Sequence, residues 1–152
     1  MDPALSILDR YRDHGLLILR AGVGVMFMVH GWPKITGGVE MWTQLGGAVG
    51  IFGIGFAPVF WGFMAAASEF GGGLLLALGL LARPAAFFMF CTMVVASSVH
   101  ITGGDGFAVY SHALKLVFVF AGLLLTGPGK FSFDSVLSRA LNGRGDSAPS
   151  AG

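Results

Sequence analysis

Ala65-Ala66-Ala67-Ser68-Glu69-Phe70-Gly71-Gly72-Gly73 lies inside an apolar run from Ala57 to Ala82. As a helix, at about 1.5 Å of rise per residue, the run is long enough to cross a hydrocarbon core of roughly 30 Å. One carboxylate, Glu69, stands near its middle. An ionisable group at that depth costs roughly 2.5–3.5 kcal/mol on insertion scales, so it should face a bundle interior and have a partner. Ala65 and Ala66 stand one turn before it and Gly72 and Gly73 one turn after. That small-residue face lets other helices approach closely. The rest of the chain supplies the candidates for a partner.

The chain has 152 residues, 55% hydrophobic and 11% charged, against about 25% charged in a soluble domain. The composition indicates an all-α integral membrane protein of one compact domain, with the lipid bilayer as its first partner. A formal net charge of +1 with no basic run excludes nucleic acid. A single cysteine, Cys91, excludes an intrachain disulfide, a CxxC pair and a Cys-rich metal site. Redox chemistry here would need a bound cofactor or a substrate that carries the electrons. Cys91 itself, in an apolar run, is expected to be a small buried hydrophobe.

Working outward from Glu69, three more apolar segments appear. Leu16 to Val29 is interrupted by Arg20 and closed by His30, and Gly31-Trp32-Pro33-Lys34 reads as a helix end at an interface. Before it, Leu5, Ile7 and Leu8 suggest a short interfacial helix. A signal peptide is rejected, since no small-residue cleavage site follows. From Ile35 to Phe56, helix-like spacing of Glu40, Met41, Trp42, Leu45 and Val49 among many glycines suggests a short interfacial or re-entrant helix. Downstream, Arg83-Pro84 reads as a tight turn, followed by an apolar segment to Ile101 and a glycine-rich loop. The last apolar segment carries His112 and Lys115 and stops at Gly127-Pro128-Gly129. A short amphipathic helix, capped by Ser132 or Asp134, then leads to a tail expected to be disordered. The expected architecture is a four-transmembrane-helix antiparallel bundle, with spans at about 16–33, 58–81, 85–101 and 109–126. It forms a single domain over 1–141, with the tail at 142–152.

Arg10, Arg12, Arg83, Lys130, Arg139 and Arg144 gather on one side and only Lys34 on the other. This places both termini in the cytoplasm. Helix rise then puts Glu69 near the midplane and Arg20 about 7 Å to the cytoplasmic side. Lys115 lies roughly 5 Å, His112 about 9 Å, and His30 and His100 on the order of 8–12 Å to the outer side. Arg20 or Lys115 is the expected ion-pair partner of Glu69. An outer-facing cavity lined by His30, Glu69, His100, His112 and Lys115 could hold a quinone: an apolar cleft for the ring, donors for its carbonyl oxygens, and a proton route. Haem is disfavoured because no histidine pair has i, i+4 spacing, and no metal site is expected.

Arg20, His30-Gly31, Lys34, Glu69-Phe70-Gly71-Gly72, Gly79 and Gly127-Pro128-Gly129-Lys130-Phe131-Ser132-Phe133-Asp134 stand in an order and spacing that resembles the DoxX family of small four-helix membrane proteins. The resemblance implies a multi-pass bacterial inner-membrane protein, often linked to oxidoreductases and sulfur metabolism. A related branch, DoxD, is the small-subunit partner in thiosulfate:quinone oxidoreductase. Other members resemble membrane anchors in oxidative-stress complexes with superoxide dismutase and a sulfurtransferase. Many members carry a carboxylate where this chain reads Tyr110-Ser111-His112-Ala113, a departure that draws attention to His112.

The expected function is a membrane subunit of an oxidoreductase system, of thiosulfate:quinone type if it is enzymatic, that binds quinone or a small sulfur-containing substrate. Glu69 and His30 would transfer protons, and Arg20, Lys34, His100, His112 and Lys115 would contact the ligand. The rival reading is a non-catalytic anchor or assembly partner whose ion pair is structural. A small-solute transporter ranks behind both. Gly46-xxx-Gly50 and the other glycine-rich faces suit a protein partner or a homo-oligomer.

Overall fold

The computed structural model describes residues 10–145. They form helices α1 (Arg12–Thr36), α2 (Gly38–Gly46), a 3₁₀ helix (Gly47–Phe52), α3 (Pro58–Leu78), α4 (Ala82–Thr102), α5 (Phe107–Thr126) and α6 (Phe133–Gly145). Four of them, α1, α3, α4 and α5, are long and apolar enough to cross a membrane. The interfacial helix expected around Leu5 to Leu8 lies outside the described residues. At the other end, α6 continues to Gly145, into the segment expected as disordered tail.

The helix ends differ from the sequence reading for local reasons. Gly79 takes a left-handed conformation, φ +69, and stops α3 at Leu78. Leu81, at φ 47, completes the reversal. Arg83 and Pro84 therefore sit in the first turn of α4 instead of forming the turn themselves. A proline is tolerated there because the first amides of a helix have no intrahelical acceptor. Asp134 supplies what those amides lack: its two carboxylate oxygens accept from Leu81 N at 2.8 Å and Ala82 N at 2.9 Å. Ser132 caps α6, its Oγ accepting from Ser135 N at 3.2 Å.

Close backbone approach organises the bundle. A Cβ built on Gly24 would lie 2.5 Å from the Gly73 carbonyl oxygen, so α1 and α3 touch where neither carries a side chain. A Cβ on Gly62 would lie 1.7 Å from the Trp42 carbonyl oxygen, and one on Gly46 would lie 1.7 Å from that of Pro58. These pairings run α2 antiparallel to α3 along the first turns of α3. Gly31, level with Phe70, fixes the depth of α1. Six residues further, α1 breaks at Gly37–Gly38, below the Pro58 end of α3. α2 then continues in the same direction. The Ile35–Phe56 connector thus holds a helix, α2, laid against the first turns of α3. The Trp42 indole Nε1 donates to the Lys34 carbonyl at 2.9 Å, which satisfies a group freed by the break.

The core is built from Phe27, Leu76, Met89, Met93, Phe120 and Leu123, with the Phe27 and Phe120 rings edge to face at 5.2 Å. Gly62→Ala should therefore cost about 3 kcal/mol or more, or prevent folding, because backbone on both sides cannot yield. Gly71, with nothing within 4 Å of a built Cβ, should accept alanine with a gain of about 0.5–1 kcal/mol. Thermal unfolding of the two variants in detergent checks the contrast.

Candidate functional site

Glu69 is 4% exposed in the body of the bundle. Its partner is Lys34, whose Nζ lies 2.7 Å from Oε1 and 2.6 Å from Oε2. The sequence explains how they meet. On α1 the buried positions Gly24, Phe27 and Gly31 form a stripe that presses on its neighbours. Gly31 brings that stripe against the Glu69–Phe70 backbone, and Lys34, one turn on, swings over the carboxylate. Lys34 is also a basic residue in the last turn of α1, where the helix dipole favours a cation.

Beside the ion pair lies a cavity of about 690 Å³, bounded by α3 and α4 and covered at one end by α2 and the 3₁₀ helix. Apolar side chains such as Val49, Phe52, Phe60, Met64 and Val95 make most of its wall. Its polar lining is small: Lys34, Glu69, Ser68, Thr92, Trp61 and His100. Thr92 Oγ1 donates to Ser68 Oγ at 3.1 Å, linking α4 to α3. The Trp61 indole nitrogen is buried and has no hydrogen-bond partner. His100, part-exposed, holds its Nδ1 2.7 Å from Asp105 Oδ2 at the loop after α4. Cys91, expected to be buried, is exposed and lines the cavity as a free thiol.

The other sequence candidates lie elsewhere. Arg20 is buried near the opposite end of α3, where NH1 donates to the Leu76 and Ala77 carbonyls at 3.1 and 2.6 Å and NH2 donates to the Phe131 carbonyl. It therefore does not pair with Glu69; its charge is spent on carbonyls of the last turn of α3 and on docking the segment before α6. His30 is exposed on α1, because the stripe through Phe27, Gly31 and Lys34 turns it away. His112 and Lys115 are exposed on α5, because Ser111, Phe120 and Leu123 face the bundle and leave the 112–115–118 side outward. The cavity thus brings together Glu69, Lys34 and His100 and leaves Arg20, His30, His112 and Lys115 outside. Sequence reasoning passed over Ser68, Thr92 and Trp61. The Lys34–Glu69 pairing was signalled by the i, i+3 spacing of Gly31 and Lys34 on one helix face. Among the described residues, no group of three or more His, Cys, Asp or Glu side chains is placed to hold a metal ion.

Comparison with known proteins agrees with this architecture. The family profile described as DoxX matches residues 15–102. The inner membrane protein YqjF of Escherichia coli K12 is 30% identical over 137 residues, covering 87% of this chain and 98% of that protein. A second Escherichia coli relative, inner membrane protein YphA, is 30% identical over 142 residues, covering 82% of this chain and 96% of its own length. An uncharacterized protein of Haemophilus influenzae is 33% identical over 129 residues, covering 78% of this chain and 90% of its own length. No solved structure matches the chain significantly.

The ion pair has a direct stability consequence. Lys34→Met leaves the Glu69 carboxylate buried and alone, and should cost about 3–5 kcal/mol. Lys34→Met combined with Glu69→Gln removes both charges and should recover most of that loss. A double-mutant cycle on thermal unfolding in detergent measures the coupling.

Proposed function

The chain belongs to the DoxX family of membrane proteins, and from that premise we propose that it is an inner-membrane subunit of an oxidoreductase system that binds a quinone beside Lys34 and Glu69. The observation that carries this reading is the cavity of about 690 Å³ with one ion pair in an otherwise apolar wall. Its volume lies within the range of about 300–1,000 Å³ typical of small-molecule sites. Apolar walls favour a ring with an isoprenoid tail over a small sulfur anion. The unpartnered Trp61 indole N–H in that wall adds a donor suited to a carbonyl oxygen. Both chain ends are assigned to the cytoplasmic side by the distribution of Lys and Arg, so the cavity belongs to the outer half of the membrane.

A bound quinone would supply two-electron, two-proton chemistry, with electrons drawn from a partner enzyme. The chain's own part is positioning and proton handling. Lys34 Nζ donates to the carbonyl oxygen nearest the ion pair. Glu69 keeps that ammonium in place and, after Lys34 has given a proton to the ligand oxygen, passes on a proton taken from water to restore it. His100, steadied through Nδ1 by Asp105 near the helix end, exchanges protons with water.

Native mass spectrometry of the protein from mild detergent, followed by organic extraction, tests the reading. Wild type should carry quinone, and the charge-free Lys34→Met/Glu69→Gln variant should lose it while remaining folded. A folded wild type that holds no quinone, and takes up no added ubiquinone in nanodiscs, would refute it.

A further inference from the structure

Arg10, Arg12, Arg83 and Arg139 gather at the far end of the bundle; in the half that holds the cavity, two charges have no ion-pair partner among the described residues, and they have opposite sign. Lys115 is exposed on α5, eight residues into a 20-residue span, hence about 12 Å below the Phe107 end. Glu40 is exposed on α2. Trp42 lies against Gly62, so Glu40 stands about 9 Å below the Pro58 end of α3 at helical rise. Both ends lie on the same side of the bundle, since successive spans alternate in direction. Each charge therefore faces lipid at similar depth, where an isolated ion is costly. The other carboxylates among the described residues are engaged elsewhere: Glu69 is held by Lys34, Asp105 by His100 and Asp13 by Lys130. Asp134 caps α4 at the far end.

We propose that the α5 face around Lys115 docks the α2 face of a second copy of this chain, with Lys115 paired to the neighbour's Glu40. The depth difference of about 3 Å is within reach of two long side chains. One contact relieves both unpaired charges, which lipid contact would leave exposed to hydrocarbon. The contact is head-to-tail, since it joins two different surfaces, and repeated around an axis it closes a ring. Exposed Val39 lies beside Glu40, and exposed Phe118 lies one turn from Lys115, so both fall within the proposed interface without carrying its charges.

Cross-linking in native membranes tests the interface. In a Cys91→Ser background, copies carrying Val39→Cys are co-expressed with copies carrying Phe118→Cys, and disulfide formation is induced by mild oxidation. The expected product is a mixed dimer, with little from either copy alone. Lys115→Glu in all copies, or Glu40→Lys in all copies, should lower the mixed dimer about tenfold, and both reversals together should restore it. Absence of the mixed dimer, with both charges then left to lipid headgroups or to a different protein, overturns the proposal. A dimer indifferent to the charge reversals overturns it as well. The membrane-fraction yield of each variant separates lost association from failed insertion.

Discussion

Glu69 can be carried in the middle of an apolar helix because Lys34 meets both its oxygens. Several features of the fold follow from that requirement. α1 must approach α3 closely enough for a lysine on one to cover a carboxylate on the other, and glycines at 24, 31 and 73 permit it. α1 must also end near that level, where its last turn favours a cation. The chain resumes as α2 only after Gly37–Gly38, with Trp42 bonding the exposed Lys34 carbonyl. The same segment then folds over the first turns of α3 and covers one end of the cavity. The ion pair, the helix break and the cavity are one construction.

A buried ion pair is weak evidence for stability, since well-packed apolar residues often serve as well or better. Arg20 offers an instructive contrast. Its guanidinium binds three backbone carbonyls and ties the end of α3 to the segment before α6. That arrangement ties down a helix end and lies outside the cavity, although the Arg20 Nε has no hydrogen-bond partner among the described residues. Lys34 and Glu69 border an open apolar volume instead. The buried Arg20 and the half-buried Lys34 thus have different surroundings, and the proposal that Lys34 contacts a ligand rests on that difference.

Much of the fold was legible in the chain. Apolar runs bounded by Gly, Pro and Arg fixed four spans, and the central position of Glu69 demanded a partner before any helix was placed. Helix ends were legible only approximately, because the turn after α3 is made by Gly79 and Leu81 and stabilised from Asp134, more than fifty residues away. The site was legible in part. Lys34, Glu69 and His100 converge on one cavity. Depth alone cannot tell which side of a helix faces inward, and so His30, His112 and Lys115 lie on exposed faces at comparable depth. Depth alone also favoured Arg20 or Lys115 as the partner of Glu69, whereas Gly31 sets the rotation of α1 that selects Lys34.

The central claim is that the space beside the Lys34–Glu69 pair is a ligand site. Photolabelling of native membranes with an azidoquinone, followed by peptide mapping, tests it most directly. Labels concentrated on cavity residues of α3 and α4, such as Met64, Thr92 and Val95, and displaced by excess ubiquinone, are the predicted result. Labels spread evenly over the lipid-facing sides of α1 and α5, unaffected by competitor, would contradict the account.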